Sequence, residues 1–177
     1  MLVMILKSAA TMNESQFLNH FKNAQPKMYR LAKRLLKSDD LAQDAVQEVM
    51  LKLWMKKDQL SGINNSEAYA MTMIKNYAYD ILKSKRHNHL ELVQERVSDS
   101  EENAEEKLEK KQSLALLEKA LDQMSYKDKT IIQLREIERF EFDQIAEILE
   151  MTPVNVRVSL SRARKKLHEK MKIILAQ

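Results

Sequence analysis

"FEFDQIAEILEMTPVNVRVSLSRARKKL", residues 140–167, carries two apolar-periodic segments a few residues apart, the second dense in cations. Thr152 suits a helix N-cap. Pro153 suits the first helical position, where its missing N–H would have no intrahelical partner anyway. At 100° per residue, Val156, Leu160, Ala163 and Leu167 share one side and are expected to pack inward, with Asn155, Ser159, Arg162 and Lys166 opposite them. That outer face is small and polar near its start and basic farther along. A helix presented end-first to a major groove needs this order, with short hydrogen-bonding groups at base edges and cations toward phosphates. Upstream, Ile145, Ala146, Ile148 and Leu149 supply a short bracing helix, Ala146 being small where two helices approach. The pair reads as a helix-turn-helix; an ordinary helical hairpin with a solvated basic face shares the pattern.

The remainder of the chain sets the fold class. Of 177 residues, 44% are hydrophobic and 32% charged, with one glycine and two prolines. So few turn formers, among abundant Leu, Ala, Glu, Lys and Met, predict an all-α protein. Without cysteine, disulfides and thiolate metal sites are excluded, and a reducing cytoplasm is the expected setting. The opening "MLVMIL" is too short for a membrane span and lacks a charged start, so residues 1–12 are expected to form a loose tail on a protein that is not membrane-embedded.

Charge divides the chain. Residues 1–90 hold 14 basic and 8 acidic residues, residues 91–112 hold 4 and 8, and residues 113–177 hold 12 and 10. From Arg157 onward the count is 7 basic to 1 acidic. Basic blocks of this kind favour a polyanion, most often nucleic acid. The expected organisation is two small helical domains, 13–90 and 113–177, joined by an acidic linker over 91–112 whose centre reads as solvated chain, with the exposed start of a long helix as the alternative. Helices are expected near 14–24, 26–37, 40–57 and 66–86, then 110–123, 127–138, 142–149 and 153–172.

In the first block, "SDDLAQDAVQEVMLKLWMKK" (38–57) has a core stripe of Leu41, Ala45, Val49 and Leu53, widened by Val46 and Met50. Leu51 and Trp54 fall outside it beside Asp44 and Gln47, either as an anchor for another protein or buried against a neighbouring helix. In "EAYAMTMIKNYAYDILKSKRH" (67–87), Ala70, Ile74, Tyr77, Ala78 and Ile81 form the expected inner face. Tyr69, Thr72, Asn76, Tyr79, Asp80 and Lys83 form the outer one. Aromatics beside an amide and cations can stack on and hydrogen-bond to exposed bases of single-stranded DNA; surface tyrosines along a bundle are the plainer reading.

Taken in order, "LAQDAVQEVMLKLW", "AYAMTMIKNYAYDILKSKR", the acidic linker and "DQIAEIL…VNVRVSLSRARKKL" resemble the extracytoplasmic-function (ECF) group of the sigma-70 family, minimal bacterial sigma factors with helical regions 2 and 4. The resemblance spans nearly all of residues 14–170. It implies core RNA polymerase and promoter DNA as partners, and admits an anti-sigma factor. Asp44, Gln47, Glu48, Leu51 and Trp54 fall in the segment that docks on the polymerase clamp helices. Asn76 and Asp80 match the paired polar positions of the region that opens and reads the −10 element, and the loop at 62–66 matches the one that receives a flipped-out base. Asn155, Arg157, Ser159, Arg162 and Arg164 fall in the helix that reads the −35 element as duplex. Four departures stand out. Arg139 and Glu150 replace glycines common at the turns framing the first helix of the motif, so those turns are expected to differ in detail. Met124-Ser125 stands where Leu-Pro is usual, and Ser159 where arginine is frequent.

The implied activity is promoter recognition and strand opening without ATP hydrolysis, in keeping with a chain that has no phosphate-cradling glycine loop. No catalytic residue, cofactor, metal or small-molecule substrate is expected: His20, His87, His89 and His168 are scattered. The rivals are a stand-alone helix-turn-helix regulator of duplex DNA, which normally dimerises, and a helical adaptor that binds only proteins.

Overall fold

The computed structural model describes residues 12–87 and 104–176. The expected tail through residue 11, linker residues 91–103 and His89 lie outside the described residues, as do the side chains of Lys85, Arg86 and His87. Among the described residues every regular element is helical: α1 (Glu14–Phe21), α2 (Ala24–Leu36), α3 (Asp39–Met55), α4 (Ser66–His87), α5 (Ala104–Asp122), α6 (Tyr126–Ile132), α7 (Phe142–Leu149) and α8 (Pro153–Leu175). A 3₁₀ turn, Lys57–Gly62, joins α3 to α4, and a π-helical turn, Gln133–Ile137, continues α6.

Side-chain caps set most of the helix starts. Asn13 and Gln16 form a reciprocal capping box on α1 at 2.9 and 3.0 Å. The Ser38 hydroxyl accepts from Leu41 N–H at 3.3 Å, the Asn65 carbonyl oxygen from Ala68 N–H at 3.0 Å, and the Thr152 hydroxyl from Asn155 N–H at 3.2 Å. Helix α5 begins at Ala104, inside the stretch expected as linker. Helix α2 begins two residues before Pro26, which still lies in its first turn, where its missing N–H is tolerated.

Among the described residues three are left-handed: Lys37 (φ 55°), Arg139 (φ 61°) and Glu150 (φ 55°). The two turns expected to differ for want of glycine thus adopt the glycine-type backbone nonetheless. After α7, Met151 N–H bonds Ala146 O at 2.9 Å and Glu150 N–H bonds Glu147 O at 3.2 Å, a Schellman closure that secures the left-handed residue. Left-handed geometry costs a non-glycine residue about 1–2 kcal/mol. Glycine's extra unfolded freedom returns about 0.5–1 of that. Arg139→Gly is therefore expected to raise stability by about 0.5–1 kcal/mol, read as a higher urea midpoint at unchanged slope. A lower midpoint would show that the exposed Arg139 side chain contributes more than its backbone costs.

Helices α2, α3 and α4 pack around Phe21, Met28, Leu31, Leu35, Leu53, Met71 and Ile74, all fully buried. Helices α5 to α8 pack around Ile131, Leu134, Ile145, Val156, Leu160 and Ala163. These cores are continuous: α4 lies against α7 and α2 against α6, so buried side chains of both halves form one cluster. This explains why α4 buries more than an amphipathic stripe. Besides Ala70, Ile74 and Ala78, it buries Ala68, Met71, Lys75 and Leu82, while Tyr77 and Ile81 are half-buried.

Candidate nucleic-acid interface

Helix α3 presents its outward ridge as read from sequence, with an extension. Asp44 and Gln47 are exposed, Glu48 is half-buried and pairs with Lys52 at 3.2 Å, and Leu51 is 54% exposed. Met55, one turn past Leu51, is 77% exposed and completes the row 44, 48, 51, 55. The sequence reading passed over Met55, although its i,i+4 spacing from Leu51 marked it. Trp54 sits at the edge of this ridge, half-buried against the core. Its ring meets Phe17 edge-on at 5.1 Å between centroids, and Lys57 Nζ lies 3.9 Å over it. It is a fixed flank rather than a free anchor, because α1 closes over one side of it.

On α4 the expected outer set divides. Asn76, Asp80 and Lys83 are exposed, Asp80 and Lys83 forming a loose 3.9 Å ion pair. Tyr69 and Thr72 are half-buried, and the Thr72 hydroxyl donates back to Ala68 O at 2.9 Å. The Tyr79 hydroxyl lies 2.8 Å from the Thr130 hydroxyl of α6. Burial pushes the Tyr79 phenol above its ordinary range, opposed by that hydrogen bond. Tyr79 is therefore not free in this arrangement: α6 of the second half of the chain meets it, a contact between residues too distant in sequence for periodicity to reveal, whereas the Thr72 hydroxyl is engaged by its own helix.

Polar contacts reinforce the covering. Lys75, buried, donates to Ile148 O at 2.7 Å, where α7 ends with its unpaired carbonyls, and lies 3.4 Å from the Glu150 carboxylate. Glu138, its side chain fully buried, accepts from Arg30 Nε at 2.9 Å and Nη2 at 2.5 Å, and from Gln133 Nε2 at 2.9 Å. Hydrogen bonding to Glu138 raises the Arg30 guanidinium further above its ordinary value. Lys27 Nζ lies 4.5 Å over the Phe140 ring, and Lys37 pairs with Asp122 at 2.9 Å. Lys129, buried beside Asp122, has its pKa lowered by desolvation first and by nearby Lys37 second.

Helices α7 and α8 form the expected helix-turn-helix. Val156, Leu160 and Ala163 are buried and Leu167 half-buried, as the stripe required. The outward face is centred elsewhere than the sequence reading put it. Its middle is the row Val154, Val158, Ser161 and Lys165, all exposed, with Asn155 and Arg162 on one flank and Arg157 and Arg164 on the other. Ser159 is half-buried, since it leans toward the inner side. Arg157 lies 5.0 Å over the Phe142 ring, which Arg135 covers at 4.6 Å. Arg164 bonds Glu136 through Nε at 2.9 Å and Nη2 at 2.5 Å, and Lys166 bonds Asp128 at 2.8 Å. Those two cations brace α8 rather than stand free. Arg162 has no ion-pair partner among the described residues and is fully available to a phosphate or a base edge.

Among the described residues no group of three or more histidines and carboxylates is placed to hold a metal ion, and no helix is long and apolar enough to cross a membrane.

A three-helix unit with an exposed acidic-apolar ridge thus packs against a helix-turn-helix whose outward helix is basic, the class of fold that helical DNA-reading factors use. Two family models match it in sequence: sigma-70 region 2 over residues 20–88 and sigma-70 region 4 over residues 106–167. Together they span well over half of the chain, which belongs to the sigma-70 family of RNA polymerase sigma factors. No curated protein matches the chain in sequence. Among solved structures it is similar to the sigma factor RpoE of Bartonella quintana in complex with the anti-sigma factor NepR, at 21% identity and a TM-score of 0.72, covering 90% of this chain and 98% of that one. It is also similar to CnrH in complex with the cytosolic domain of CnrY, at 17% identity and a TM-score of 0.68, covering 93% of each chain. At such identities these likenesses speak for a shared fold.

Proposed function

We propose that this protein is a non-enzymatic initiation factor of the ECF type, acting in the cytoplasm. It binds core RNA polymerase through the α3 ridge, reads the −35 element as duplex with α8, and opens and holds the −10 element on α4. The observation that carries this reading is the coexistence, in one sigma-70 chain, of an exposed apolar row on α3 and an outward α8 face whose exposed Arg162 has no ion-pair partner among the described residues. A duplex-only regulator would leave the α3 row without a task. Promoter engagement through all of α4 requires α7 and α6 to leave it, because Tyr79 is tied to Thr130 and Lys75 to Ile148 O. Anti-sigma proteins, as in the RpoE and NepR complex, are the partner class that the same two-part architecture would serve.

Run-off transcription with purified core polymerase tests the reading: transcripts that require this protein are expected from a subset of promoter fragments. Absence of transcripts, together with absence of co-elution with core, would overturn it. Within that assay Asn76→Ala is expected to lower open-complex formation about tenfold, read by permanganate reactivity of unpaired thymines, while duplex binding is retained; this follows from losing one well-placed contact of about 1–1.5 kcal/mol. Unchanged reactivity would remove Asn76 from the strand-holding face.

A further inference from the structure

The centre of the α8 outward face is apolar where a groove-reading helix begins. Val154 is 63% and Val158 42% exposed, one turn apart, and α7 and α6 pack on the other side of the helix. Valine is a mediocre helix former, and these two branched side chains leave much of their apolar surface to solvent. They are flanked by cations on both sides: Arg162 and Lys165 farther along, Arg157 beside them. A partner that is anionic at the rim and apolar at the middle matches this face. Duplex DNA has that character in the major groove where the 5-methyl of thymine projects between the phosphate walls.

We infer that Val154 and Val158 read thymine methyl groups, so that the upstream element recognised by this protein carries two A·T pairs fixed by apolar contact. The inference rests on the reading of α8 as the duplex-binding helix. Four residues of helix span about 6 Å, and successive bases rise about 3.4 Å, so the two thymines lie within about two base steps of one another, on the same or opposite strands. Arg162, one turn beyond Val158, then reaches either a phosphate or a guanine edge beside them. Valine's single favoured rotamer makes the contact specific: little side-chain freedom is lost when the methyl group packs between its two branches.

The test uses the full chain bound to core polymerase and a promoter duplex in which each upstream thymine is replaced, one at a time, by deoxyuridine, which lacks only the methyl group. At two positions the replacement is expected to weaken binding about fourfold, as for one buried methyl. Val154→Ala is expected to abolish the penalty at one of them and Val158→Ala at the other. Both side chains are exposed and alanine favours the helix, so the fold is retained. Sequence-specific binding that tolerates deoxyuridine at every upstream position would overturn the inference while leaving the function of α8 intact. If binding shows no upstream sequence preference, and Arg162→Ala leaves its salt dependence unchanged, then α8 does not read the duplex and the inference falls with that reading.

Discussion

Arg30→Ala is expected to loosen the two halves from one another by about 3 kcal/mol, a shift of roughly a hundredfold toward separated units. Glu138 loses both guanidinium bonds and keeps only the Gln133 amide, in a site where none of its side chain meets water. An uncompensated buried carboxylate costs about 3–5 kcal/mol, and the retained Gln133 bond places this case at the lower end. The least costly relief is for α6 and α7 to lift from α2 and α4, so that Glu138 is hydrated. The reciprocal change is milder: in Glu138→Gln the half-exposed Arg30 simply turns to solvent. Because the chain has no cysteine, a label pair at Gln43→Cys and Glu147→Cys, both exposed positions on opposite halves, reports the separation directly. A longer and broader distance distribution for Arg30→Ala is the expected result. An unchanged distribution would show that apolar packing alone holds the halves together.

Leu51→Asp is expected to weaken binding to core polymerase by more than about thirtyfold, the effect of losing an interface hot spot worth at least about 2 kcal/mol. Leu51 and Met55 form the apolar row at the middle of the α3 ridge, bordered by Asp44, Gln47 and Glu48. A carboxylate there would be desolvated on docking with no partner assured. Leu51 is more than half exposed in the free protein, so folding is expected to survive, and helical content with an unchanged unfolding midpoint serves as the control. Trp54→Ala would be a poorer probe, since its ring also packs on Phe17 and its loss would disturb α1. Titration of labelled protein against core polymerase reads the affinity; a Leu51→Asp protein that binds with full strength would remove α3 from the interface.

The sequence made much of this visible. The stripes of α3 and α8 follow from 3.6-residue periodicity, and Val49, Leu53, Val156, Leu160 and Ala163 are buried as that periodicity requires. The turn chemistry of Thr152-Pro153 placed the start of α8 to the residue. What stayed hidden was long-range. Periodicity assigns a helix one buried face, and α4 has two, the second covered by residues more than fifty positions away. The split of the α4 outer set, with Tyr79 turned toward the other half, could not be anticipated from local spacing. Nor could the engagement of Arg164 by Glu136 or of Lys166 by Asp128, ion pairs that the local pattern does not reveal. On α8 the inner stripe was right, but the outer face was centred to one side of its true middle, so Val154, Val158, Ser161 and Lys165 were passed over. The left-handed backbone at Arg139 and Glu150 needed the surrounding hydrogen bonds to be seen, since neither residue advertises it.

The unequal accessibility of α8 and α4 has a kinetic meaning. On the proposed assignment, with α8 outward while α4 is partly covered, the protein would sample duplex DNA without committing its strand-holding surface. A single strand would meet the exposed Asn76 and Asp80 at once but the flank around Tyr79 only in the fraction of molecules whose halves have parted, and the affinity for the full surface would be scaled by that fraction. Any partner that spreads the halves, polymerase included, would therefore sharpen strand capture without touching a base, and one that clasps them would suppress it from a distance.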